Sequence, residues 1–79
     1  MSGGGIDQLV KMANDIGTFF SGEPDHDVAV AGVVNHIQKF WDPRMRRKLV
    51  AHLQAGGHGM LPLVKVAAAQ IAQTPAAAV

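Results

Sequence analysis

Apolar residues recur at helical spacing in four segments of this chain. In IDQLVKMANDIGTFF, Ile6, Leu9, Val10, Ala13, Ile16 and Phe20 share one side, and Asp7, Lys11, Asn14, Asp15 and Thr18 fill the other. The spacing predicts a helix over 6–20. SGEPD breaks the pattern; Pro24 suits the first turn of the next helix, with Asp25 and Asp27 in that turn, where negative charge favours the helix dipole. A second helix then runs through DVAVAGVVNHIQKFW, with Val30, Val33, Val34, Ile37, Phe40 and Trp41 on one broad arc. Its β-branched valines are compatible with a strand, but period-2 alternation fails at Val33–Val34 and the length favours a helix.

Asp42 and Pro43 punctuate next. A residue before proline avoids helical geometry, so the chain turns here, with Asp42 as N-cap and Pro43 as first helical residue. A third helix extends to about Leu53 and stops at AGGHG, where Gly56 or Gly57 takes the left-handed closing conformation. A fourth, alanine-rich helix in MLPLVKVAAAQIAQ carries Leu63, Val64, Ala67 and Ile71 on one side. The expected architecture is all-α, a small bundle of three to four short helices. Residues 1–5 read as a flexible N-terminal extension, 6–72 as the helical domain and 73–79 as a flexible C-terminal tail.

Composition narrows the function classes. A chain of 79 residues buries only about 60% of the surface its unfolded form exposes, so its core is thin. With no cysteine, disulfides, thiolate metal sites and cysteine nucleophiles are excluded. Hydrophobic residues make up 48% of so small a domain, which leaves some to face another protein. The start has no basic region leading into a long apolar run, and no stretch approaches the roughly 20 apolar residues of a membrane span. A cytoplasmic protein without membrane contact is expected.

Charge says more by its distribution than by its sum of +1. All six acids lie at or before Asp42, while Lys39, Arg44, Arg46, Arg47 and Lys48 are five of the seven cations. That polarity suits recognition of an acidic patch. On the third helix Met45, Leu49 and Leu53 line one side, and Arg44, Arg47 and Lys48 cluster opposite. The bland account of that cluster is a solvated face. Arg46 projects at the edge of the apolar arc and needs an acceptor: a carboxylate or carbonyl of a partner, Asp42, or an acid of the first two helices. Phe40 and Trp41 end the second helix; core anchoring is the bland account of each, and Trp41 beside an arginine cluster also fits an interface hot spot.

Catalytic chemistry finds little support. His26, His36, His52 and His58 are never spaced i, i+3 or i, i+4, so they form no helical metal pair. GGHG lacks a phosphate-loop lysine and reads as a helix-ending loop. The serines and threonines have no nucleophile context. A helix-turn-helix DNA binder is the weaker alternative, because three or four cations on one face give weak, salt-dependent binding and base-reading side chains are absent from the start of the third helix. No catalytic, cofactor-binding or metal residue is assigned; Phe40, Trp41, Asp42, Arg44, Arg46 and Arg47 are the candidate partner-binding residues.

LVKMANDIGTFF, VAVAGVVNHIQKFWDPRMRRKLVAHL and GGHGMLPLVKVA, in that order, resemble the delta subunit of NAD-dependent formate dehydrogenase. HIQKFWDPRMRRKLVAHL is the most distinctive part, and the likeness spans residues 6 to about 68. The resemblance implies a small accessory component of a soluble enzyme that oxidises formate to carbon dioxide and reduces NAD⁺. It implies a catalytic (alpha) subunit with a molybdenum or tungsten bis(pterin guanine dinucleotide) and iron–sulfur clusters, and diaphorase subunits carrying FMN, the NAD site and further clusters. The delta subunit itself is expected to hold no cofactor, to contact no nucleic acid, and to support assembly, cofactor insertion or stability. Two roles remain open: a permanent subunit docked on the catalytic chain, or a factor that leaves after cofactor insertion.

Overall fold

Helices form where the apolar spacing predicts them. The computed structural model describes residues 4–73 and contains α1 (Gly4–Phe20), α2 (His26–Phe40), α3 (Pro43–Gln54) and α4 (Pro62–Gln73), with no strand among the described residues. The fold is thus all-α, a small four-helix bundle. The expected extensions fall mainly at residues 1–3 and 74–79, outside the described residues; α1 already includes Gly4 and Gly5, and α4 runs through Gln73.

The helix ends follow from local hydrogen bonding. Asp25 rather than Pro24 starts α2: its Oδ1 accepts from the N–H of Asp27 at 3.0 Å and of Val28 at 3.3 Å. Pro24 therefore lies outside the helix, a correction to its expected place in the first turn. A carboxylate cap satisfies two of the orphan N–H groups, which proline cannot do. At the next turn Asp42 is extended at φ −78, ψ 165, and its Oδ1 accepts from the Met45 N–H at 2.9 Å, with Pro43 in the first turn. The end of α3 closes by the paired bonds of a Schellman motif: Gly57 N–H donates to His52 O at 2.8 Å and Gly56 N–H to Leu53 O at 3.0 Å. Both glycines take positive φ, 124° and 64°.

Helix α4 forms the floor of the bundle, packing most extensively on α2 and α3. Its Val64, Ala67, Ala68 and Ile71 meet Leu9 and Ala13 of α1, Val30, Val33 and Ile37 of α2, and Leu49 of α3 in one buried cluster with Trp41 and Met60. Small alanines on α4 let its backbone come close to its neighbours. Gly17 does the same from α1: a Cβ there would lie 2.6 Å from Val64 Cγ2. Phe20 covers Gly32 of α2, where an added Cβ would meet the ring at 2.5 Å.

The α3–α4 loop is tied down by side chains from two helices. Asn14, on the polar side of α1, donates from Nδ2 to Gly59 O at 2.9 Å and accepts at Oδ1 from the Leu61 N–H at 3.0 Å. His52 Nε2 lies 2.7 Å from His58 O, to which its N–H tautomer donates. Nothing in the apolar spacing marked Asn14 or His52 for these roles, because each bond spans a chain reversal.

Candidate docking surface

The α2–α3 corner is built by a two-residue turn. Trp41 closes α2 with its N–H on Ile37 O at 2.9 Å and an extended backbone, φ −94, ψ 142; Asp42 then caps α3. This geometry separates the two aromatics. Trp41 is 5% exposed and belongs to the core cluster, whereas Phe40 is 69% exposed. Phe40 was expected on the same arc as Val30, Val33 and Ile37, and it lies outside it. Its ring instead meets His36 of the same helix at a tilt of 45°, centroids 4.8 Å apart.

Arg46 finds its acceptors within the chain. Its Nη1 donates to Trp41 O at 2.6 Å and to Gln38 O at 3.4 Å. These carbonyls belong to the end of α2, where the helix leaves C=O groups unpaired and the dipole is negative, so a guanidinium there satisfies both needs. Arg46 thus braces the corner. Asp42 is exposed, but its carboxylate is engaged as the cap.

The remaining cations have no such role. Arg44, Arg47 and Lys48 are exposed. Among the described residues one ion pair forms, Lys11 with Asp15 at 3.4 Å, an exposed i,i+4 contact far from this corner in sequence. No acid stands in the first turn of α3. Cations therefore gather at the positive end of a helix dipole, where only the Asp42 cap opposes them, an arrangement unfavourable for the isolated helix. Local rules broken without internal compensation are expected at functional surfaces.

Elsewhere the surface offers less chemistry. A shallow groove of about 470 Å³ opens between the end of α1 and the starts of α2 and α4, lined by Gly17, Ser21, Pro24, Ala29, Leu61 and Pro62 among others. Among the described residues no three His, Asp or Glu side chains come together as a metal site, and no helix is long and apolar enough to cross a membrane.

Fold and surface define a cysteine-free helical protein whose conspicuous exposed chemistry is an aromatic and cationic corner. A family model described as the NADH-dependent formate dehydrogenase delta subunit, FdsD, matches residues 8–73. The chain belongs to this family, whose members are by that description subunits of a formate dehydrogenase and so associate with its other subunits. No curated protein and no solved structure matches the chain.

Proposed function

We propose that this chain is a non-catalytic accessory subunit that docks on, and stabilises, the catalytic subunit of a cytoplasmic, NAD-dependent formate dehydrogenase. The carrying observation is the corner just described: exposed Phe40, followed within eight residues by exposed Arg44, Arg47 and Lys48, none of which forms an ion pair among the described residues. Burial of the phenylalanine supplies affinity, and the arginines select carboxylates or carbonyls of the partner. The molybdenum or tungsten pterin cofactor, the iron–sulfur clusters, FMN and the NAD site belong to the catalytic and diaphorase subunits; a chain with no cysteine supplies no thiolate to a cluster. Binding only the folded catalytic subunit stabilises it by mass action.

The test is co-purification of the complex with Arg44→Glu and Arg47→Glu introduced together. Retention of the subunit is expected to fall steeply while the helical circular dichroism of the free chain is unchanged. Normal stoichiometry in that variant sinks the assignment of this corner. Size exclusion of the active enzyme separates permanent docking from a transient role in cofactor insertion: a subunit absent from active enzyme, with low metal occupancy on its deletion, supports the transient role.

A further inference from the structure

The outward side of α2 continues the corner as a ridge. Val28, Gly32, His36 and Phe40 follow one another at four-residue intervals, so they wind slowly along one side of the helix. Phe20 covers Gly32, and Phe19 meets the Phe20 ring edge-on with centroids 5.0 Å apart. Phe19 is 79% exposed and Val28 52% exposed. None of the three phenylalanines of the protein is fully buried: Phe19 and Phe40 are exposed, and Phe20 is half-buried over Gly32.

The ridge has a charge gradient along its length. Exposed Glu23, Asp25 and Asp27 lie next to its Val28 end in sequence, Asp25 being the α2 cap. Exposed Lys39 and Arg44 lie next to its Phe40 end, where the one acid, Asp42, is engaged as the α3 cap. From Val28 to Phe40 of α2 the ridge spans about 18 Å, room for about three turns of a second helix. A strand is a poor occupant, because the described residues offer no sheet edge for it to extend.

We propose that this ridge receives an amphipathic helix of the same neighbouring subunit that seats on the corner. That helix is apolar along its contact stripe, basic where it passes Glu23 and Asp27, and acidic where it passes Lys39 and Arg44. The proposal rests on the docking reading above, since Phe40 belongs to both surfaces and a subunit seated on the corner runs on to the ridge. It adds a partner of stated chemistry and a second anchoring point about 18 Å away.

The experiment compares three double variants in the purified complex: Phe19→Ser with Val28→Ser, Glu23→Lys with Asp27→Lys, and Arg44→Glu with Arg47→Glu. Truncating the ridge is expected to weaken retention about tenfold. Reversing the acidic end is expected to weaken it a few-fold at low salt, with the difference closing as ionic strength rises past about 0.5 M. Carboxylate labelling of the wild-type protein supplies a readout that needs no variant: Glu23 and Asp27 should label in the free chain and be protected in the complex. Equal labelling in both states overturns the ridge. So does wild-type retention of the ridge variant when the arginine variant dissociates, an outcome that leaves the docking corner standing. Wild-type retention of all three variants removes both surfaces. A free-chain dimer lost in the ridge variant, with retention in the complex unchanged, makes a second copy the occupant and also overturns the proposal.

Discussion

The two sides of α2 are built from similar residues and meet opposite surroundings. Inward lie Val30, Val33, Ile37 and, at the cap, Trp41, all in the core cluster against α4. Along the outward row lie Val28, Gly32, His36 and Phe40, of which Val28 and Phe40 are exposed, His36 is half-buried and Gly32 is covered by Phe20 of α1. Each side carries a valine and an aromatic. The difference teaches that residue type does not choose the side; the phase of the helix against α4 does. Four inward positions with no break outweigh an outward row interrupted by a glycine and a histidine.

The sharpest way to break this comparison is to truncate the two adjacent aromatics. Trp41→Ala should cost about 3–5 kcal/mol in urea unfolding of the chain, as expected for a large side chain removed from a core. Phe40→Ala should stay within about 0.5 kcal/mol, because it is a surface change. Equal losses from the two would mean that the outward face is structural after all.

Contact between α1 and α4 gives the next effect. Gly17→Ala drives a methyl against Val64, a fully buried side chain with nowhere to move. An overpacking loss of about 1–3 kcal/mol is expected in the same unfolding measurement, reduced somewhat by alanine's better helix propensity. Gly32→Ala meets only the Phe20 ring, which is half-buried and can swing away, so its loss should be smaller. A reversed order would show that the outward side is packed more tightly than the inward one.

Smaller still are the polar ties. Asn14→Ala removes two hydrogen bonds to the α3–α4 loop and should cost about 1–2 kcal/mol, seen as a lowered denaturation midpoint. Arg46→Ala should cost about 1 kcal/mol through the lost carbonyl contacts at the end of α2. Its effect on association should track that loss, whereas Arg44→Ala should weaken association with no change in stability. If Arg46→Ala dissociated the complex without lowering the melting temperature of the free chain, the bracing role would be wrong.

Much of this fold was legible from one-dimensional signals. Four apolar periodicities placed the four helices, and the Asp42–Pro43 pair placed the cap and turn between α2 and α3. These signals are local: a carboxylate reaching an N–H three residues on, or a ring fixing φ, acts within one turn of chain. The candidate site was legible only in outline. Its residues were found together by sequence proximity, but Trp41 proved to be core and Arg46 a brace. Neighbours along a helix differ by 100° in direction, so a contiguous stretch contributes to several environments. Asn14 and Gly17 carried no readable signal, since their partners lie more than forty residues away.

By itself, then, the order of residues determined the helices, their caps, the segregation of acids from cations and the family likeness. Only the tertiary arrangement decided that Trp41 turns inward while Phe40 turns out, that Arg46 meets carbonyls at the end of α2, and that Phe20 packs over Gly32 while Phe19 stays exposed. Helix periodicity and capping depend on interactions a few residues apart. Which face is buried depends on where α4 lands, and that is settled when all four helices compete for the same small core.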